Sequence, residues 1–293
     1  MAEVRRYLST TQIAEALGLS TTTVKRWVDG GILPAHKTAG GHRKILVGDV
    51  LRLIRREHWP HLDLSKLTGG VPPESVEDLP RLAGQFFEAL CGDDVQAAAT
   101  LLDRVYQAGV GMDQLADEVV APAMHRVGDQ WQEGACDVSH EHRATQVCLE
   151  SVLQLRQHLP THSDTDRPLA VGGAPEGDHY LVPSLLVQMV LLDHGWRAIN
   201  IGPNTPLASF SLAMKEFQPR LLWFSCSYLA CPEAWLAAYR RFHREAKRAG
   251  VTVVLGGQAL TPELCKNLPG VNFGDGLAPL ATFLRSFELD KAR

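Results

Sequence analysis

The sequence has no long apolar run. Leu221 to Phe224 is typical of its longest ones, and four residues cannot cross a bilayer. The opening residues, MAEVRRYLST, contain no apolar stretch of the secretory kind. No membrane partner and a cytoplasmic location are therefore expected. The six cysteines, Cys91, Cys136, Cys148, Cys226, Cys231 and Cys265, form no C-x-x-C pair and no zinc-type spacing. They read as free thiols in a reducing compartment. No G-x-G-x-x-G motif follows the first strand-like run of the alternating segment, which excludes the usual dinucleotide fingerprint.

What is present is an ordinary globular composition, 45% hydrophobic and 21% charged, in 293 residues. That length has room for two or three domains. The net charge of −4 is unevenly spread. Residues 1–60 hold ten Lys/Arg against five Asp/Glu, and the rest hold nineteen against twenty-eight. A basic head on an acidic body points to an anionic partner, most simply nucleic acid.

Residues 1–58 read as a helix-turn-helix. Ser9-Thr10 opens a helix with Ile13, Ala14 and Leu17 on one face, and Gly18 breaks it. Ser20 is a suitable N-cap for a second helix carrying Val24 and Trp27. Thr21, Thr22, Thr23, Lys25 and Arg26 are then exposed for a major groove. In KTAGGHRKI, paired glycines make a hairpin tip, and His42, Arg43 and Lys44 stand beside it as phosphate contacts. The segment resembles the winged helix-turn-helix of MerR-type regulators, although VDGGILPAHKTAGGHR replaces a longer Arg/Tyr-rich turn. Double-stranded operator DNA is the partner this implies.

Residues 59–78 are rich in Pro, Gly and Ser and read as a linker. Residues 79–162 carry helical periodicity in four stretches, the first two split at Gly92-Asp93, and predict a four-helix bundle (α). Residues 167–290 alternate five strand-like runs (PLAVGG, RAINIG, RLLWFSCS, VTVVLGG, VNFGD) with helical ones. That pattern predicts an α/β doubly wound, flavodoxin/Rossmann-like domain. The fold class is therefore multidomain.

Ligands on such sheets bind at the carboxyl ends of the strands. The rule selects GAPEGDHY, SYLACP and GGQAL. They offer His179, Ser227, Leu229, Gly256 and Gly257, with Asp178 beside His179. One His, one Ser and two Gly make no nucleophile triad, so no catalytic residue is assigned. They suit a bulky ligand with one metal coordination position, the imidazole being the commonest protein metal ligand.

At these loops the chain resembles the cobalamin-binding domain, whose pattern is acid-x-His-x-x-Gly, Ser-x-Leu and Gly-Gly. The corresponding stretches are Gly177 to Val182, Ser227-Tyr228-Leu229 and Gly256-Gly257, and GPNTP at 202–206 resembles a loop of the regulatory members. In that register Gly177 stands in the acid's place and Val182 in the glycine's, with Glu176 or Asp178 as substitute carboxylates. The resemblance implies His179 as the cobalt ligand.

WQEGACDVSHEH, residues 131–142, puts a Trp among polar groups. Trp131, nine residues, then Glu141-His142 resembles the helical cap of the CarH/LitR type of adenosylcobalamin photoreceptor. The resemblance implies that Trp131 packs on the adenosyl group, that Glu141 and His142 bond its polar parts, and that Asp137 caps their helix. Where light-responsive relatives have a His directly after the Trp, this chain has Gln132, a poor cobalt ligand. His125 and His140 are the nearby imidazoles.

The expected function is a transcriptional regulator, most simply a repressor, not an enzyme. Its homo-oligomeric state and DNA binding would follow the cobalt–carbon bond and light. The alternatives are a cobalamin-sensing or cofactor-independent regulator without light response, and a corrinoid methyl-transfer or mutase subunit.

Overall fold

The computed structural model describes residues 7–37, 42–46, 49–50, 53, 78–159, 167–274 and 276–289. The expected hairpin tip at Gly40-Gly41 and nearly all of the linker lie outside them. The chain packs as two compact units, residues 1–82 with 100–111 and residues 83–99 with 112–293.

In the first unit, β1 (Tyr7–Ser9) leads into α1 (Thr10–Leu17) and α2 (Thr21–Asp29), followed by β2 (His36–Lys37) and β3 (Arg43–Leu46). Ser9 and Gln12 form a reciprocal capping box on α1. Gly18 closes α1 in a left-handed conformation at φ 65°, where a Cβ would be strained. Ser20 caps α2 by accepting the Thr23 N–H. The strands pair antiparallel in the order β1-β3-β2, with Lys37 opposite Arg43. That pairing is the expected hairpin. Leu8, Ile13, Ala14, Val24, Leu33 and Ile45 fill the core between helices and sheet.

The helical segment contains α3 (Leu79–Cys91), α4 (Val95–Gln107), α5 (Met112–Leu115), a π-helical turn (Ala116–Val120), α6 (Ala121–Gln132) and α7 (Val138–Arg156). The break between α3 and α4 falls at the expected Gly92-Asp93, where Asp93 adopts φ 59°. The π turn was not expected from the sequence. It joins α5 to α6 without leaving the helical track.

The α/β part runs β4 (Leu169–Gly173), α8 (Val182–Asp193), β5 (Arg197–Asn200), α9 (Leu207–Phe217), β6 (Leu221–Ser225), α10 (Pro232–Arg248), β7 (Thr252–Gly256), α11 (Pro262–Cys265), β8 (Val271–Asn272) and α12 (Ala278–Leu289). All five strands are parallel in the order β5-β4-β6-β7-β8. The first crossover leads outward from β4 and the next returns past it to β6. The carboxyl ends therefore split apart beside β4, which is where a doubly wound sheet opens a binding crevice.

One sheet face packs Val171, Leu222, Phe224, Val253 and Leu255 against Phe210 and Met214 of α9 and Tyr239 and Phe242 of α10. On the other face, α8 is apolar nearly all round and buried at ten of its twelve positions. A helix of that kind has neighbours on every side. It packs against β4, β5 and β6 and also against α5 and α7 of the helical segment. Gly172 allows this face to close, because a Cβ there would overlap the Trp223 ring. The Trp223 Nε1–H then donates to the Ser184 hydroxyl on α8 at 3.1 Å.

Candidate functional site

The basic head presents α2 much as its sequence predicts. Val24 is fully buried and fixes the helix, while Thr22, Lys25 and Arg26 are exposed and Thr21 and Thr23 half-buried. Two of the expected DNA contacts are already engaged within the protein. The Thr23 hydroxyl lies 2.9 Å from the Ser20 hydroxyl, as part of the cap. Arg43 donates to Asp29 at the end of α2, at 2.6 Å. His42 is exposed and Lys44 half-buried.

The second candidate region is the corner between α6 and α7. Trp131 stands one residue before the end of α6. The chain turns through Gly134, at φ 71°, and restarts at Asp137. The Asp137 carboxylate accepts the Ser139 N–H at 2.8 Å, the expected N-cap. That bond holds the Asp137 carboxyl below its ordinary pKa. Trp131 is 47% exposed and does not fill a core. Val138 and His142 are also exposed. Glu141 is half-buried and accepts the Thr145 hydroxyl at 3.0 Å, with His142 Nε2 3.6 Å from its other oxygen. Trp131, Glu141 and His142 thus share one corner.

The third region is the carboxyl edge of the sheet, in the same compact unit as that corner. Its loops are tied together by residues that sequence reasoning did not rank. Asp178 is fully buried. Its Oδ1 accepts the Tyr180 N–H at 3.0 Å. Its Oδ2 accepts the N–H groups of Ser227 at 2.6 Å and Tyr228 at 3.0 Å. One carboxylate therefore joins the loop after β4 to the loop after β6. Asn204, in the loop after β5, accepts the Gly177 N–H and donates its own N–H to the Asp178 carbonyl. The sequence shows Asp178 only as an acid beside His179, and its partners lie 49 and 50 positions away.

Three residues at this edge have structural work of their own. The buried Asp178 carboxylate is taken up by three backbone N–H groups. Leu229 is 8% exposed and packs in the α/β core with Phe224 and Leu260. Gly257 is a glycine because its own chain demands it. It adopts φ 117°, and a Cβ would come 2.3 Å from the Cys226 carbonyl oxygen. Gly256 is likewise tight, with the Gly274 carbonyl oxygen 3.0 Å from where a Cβ would lie. His179 is exposed and Ser227 half-buried. Cys226 is buried, which raises its thiol pKa well above the ordinary range and leaves it inert.

Large apolar side chains left in the open are informative when they gather. At these two regions the exposed ones are Trp131 and Val138 at the helical corner, and Tyr180, Leu181 and Tyr228 at the sheet edge. Such surfaces fit a broad, partly apolar ligand better than a small polar one. The donors beside them, Glu141, His142, His179 and Ser227, suit a large group with polar margins. Among the described residues no group of three or more His, Cys, Asp or Glu is placed to hold a metal ion. No described helix is long and apolar enough to cross a membrane.

Comparison with known proteins agrees with these regions. The family model described as a helix-turn-helix domain matches residues 7–58, and the one described as a B12 binding domain matches residues 82–156. The chain is 25% identical over 257 residues to the HTH-type transcriptional repressor CarA of Myxococcus xanthus, covering 84% of each protein. It is 24% identical over 273 residues to the repressor CarH of the same organism, covering 84% of this chain and 87% of that one. Trimethylamine corrinoid protein 1 of Methanosarcina acetivorans is 18% identical over 201 residues, 68% of this chain and 93% of its own. The structure of the Methanosarcina barkeri monomethylamine corrinoid protein superposes with a TM-score of 0.58 at 17% identity, covering 71% of this chain and 98% of that one. That likeness establishes the fold of the α/β part. The chain thus combines a helix-turn-helix domain with a B12-binding domain, and it is similar to the CarA and CarH repressors.

Proposed function

We propose that this protein is an adenosylcobalamin-dependent, light-responsive transcriptional repressor. The observation that carries the reading is the pair of open apolar surfaces, Trp131 with Val138 and Tyr180 with Tyr228, in a chain that also has a helix-turn-helix head. In this reading the four helices of residues 79–162 form a bundle that caps the ligand, and the sheet edge of residues 167–290 supports it.

When bound, adenosylcobalamin supplies a cobalt–carbon bond that visible light breaks, chemistry that belongs to the cofactor. The protein's residues do the rest. Trp131 covers the adenosyl side and keeps water from it. Glu141, fixed by Thr145, and His142 accept and donate hydrogen bonds to polar groups of the adenosyl moiety. Backbone N–H groups bound to Asp178 hold the lower loops in register. The α6–α7 corner is the part that responds, because exposed apolar groups there are covered only while the ligand is whole. Covering them favours a homo-oligomer of several heads, and linked heads gain affinity for operator DNA through effective concentration. Thr22, Lys25, Arg26, His42 and Lys44 make the DNA contacts, with Lys and Arg neutralising phosphates.

The test is reconstitution in the dark with adenosylcobalamin, followed by visible spectra, sizing and operator binding before and after illumination. A spectral change accompanied by disassembly and DNA release supports the proposal. A spectral change with assembly and DNA binding unaltered sinks the light response. A protein that stays colourless yet binds DNA is a cofactor-independent regulator. In the same assay Trp131→Ala should weaken dark adenosylcobalamin binding about tenfold, from the loss of one large aromatic contact.

A further inference from the structure

The six-position pattern acid-x-His-x-x-Gly can be laid on residues 177–183 in two registers, and the structure chooses between them. Gly177 adopts φ 85° and gives its N–H to Asn204. An acidic side chain there would be strained, so Gly177 is a turn glycine and not a displaced acid. The acid is Asp178. It is buried, holds both loops, and occupies the place of a structural carboxylate in the crevice. Two residues after it stands Tyr180, and the pattern's last position falls on Pro183 in the first turn of α8.

The same carboxylate positions a second aromatic. Its Oδ1 takes the Tyr180 N–H and its Oδ2 the Tyr228 N–H. Two tyrosines from loops far apart in sequence are thus fixed through their main chains to one buried group. Their side chains nevertheless remain in the open, 53% and 49% exposed. Rigid backbone under exposed aromatic rings is an arrangement made for a flat ligand face. His179, between Asp178 and Tyr180, has no claim on the carboxylate that would orient an axial imidazole.

We infer that Tyr180, paired with Tyr228, and not His179, is what this chain presents to the lower face of the corrin, so that no protein imidazole binds the cobalt. The inference rests on the cobalamin reading above and refines it.

The experiment uses cob(II)inamide, a corrinoid without its own nitrogenous base, bound anaerobically to the full chain. Any nitrogen splitting in its electron paramagnetic resonance spectrum must then come from the protein. The expected spectrum has no nitrogen splitting in the native protein or in His179→Ala. Tyr180→Ala and Tyr228→Ala should each weaken cobinamide binding about tenfold, while Tyr180→Phe, which keeps the ring, binds within twofold of native. Nitrogen splitting in the native protein overturns the inference, whether or not it vanishes in His179→Ala. Unchanged affinity in both alanine variants overturns it as well. A native protein that takes up neither cobinamide nor adenosylcobalamin removes the cobalamin reading itself, and the inference with it.

Discussion

At the scale of single residues, Asp178 carries more of the site than any group named for ligand contact. Three backbone N–H groups converge on a carboxylate with no solvent to replace it. Asp178→Ala leaves those donors unpaired, and the expected loss is about 3 kcal/mol in urea unfolding. A loss under about 1 kcal/mol would show that water replaces the carboxylate. The residue was visible in the sequence but its role was not. Charge beside a His reads as tuning of that His, whereas the true partners come from a different βα unit and appear only once the sheet has formed. Gly257 illustrates the same limit. A glycine pair at the end of a strand signals close approach, but only the fold says that the approaching group is Cys226 and not a ligand. By contrast the nearness of Trp131, Glu141 and His142 depends on nothing distant, because all three lie at one α6–α7 corner, and the resemblance to the helical cap had named them together.

At the scale of elements, local rules were reliable. All five strands and the breaks at Gly18 and Gly92-Asp93 stand where periodicity and turn residues put them. The caps Ser9, Ser20 and Asp137 each accept the N–H they were suited to. What local rules omitted is the pairing between elements. Arg43 of β3 is spent on Asp29 of α2, so the head offers fewer free cations than its composition promises. Asp29 is exposed and Arg43 half-buried, and a pair so open to water contributes little to stability. Its effect falls on DNA binding instead. Asp29→Ala should release Arg43, and the plot of log affinity against log salt should steepen by about 0.9, the signature of one added phosphate contact. A tighter complex with the slope unaltered would mean that only the general field had changed.

At the scale of the compact unit formed by residues 83–99 and 112–293, helical and α/β parts are fastened by an exchange of caps. Asp193, at the end of α8, accepts the Met112 N–H at the start of α5. Asp117, in the π turn, accepts the N–H groups of Leu277 and Ala278 at the start of α12. A carboxylate at a helix start is favoured by the helix dipole, yet burial is the larger influence and raises the Asp117 pKa above 3.8. The native state therefore holds its proton more tightly than the unfolded chain. The Asp117 contribution is fullest below pH 3.8 and declines as pH rises through the raised value. Measured against Asp117→Asn, wild type should gain stability as pH falls from neutral toward 4, read from urea midpoints in each buffer. A difference that widens with rising pH would contradict this assignment.

The π turn itself bears on an azimuth. Five residues, Ala116–Val120, wind one position wider than an α-helix, and α6 continues from there. Each residue of an α-helix turns the chain about 100°. The wide turn absorbs one residue more than an α-helix would use, so deleting one residue there restores plain α-helix and leaves Trp131 close to its present azimuth, whereas the same deletion inside α6 before Trp131 would swing it by roughly that angle. The direction of the indole is thus buffered by a helix irregularity more than ten residues upstream, where the loss of a single codon would be absorbed.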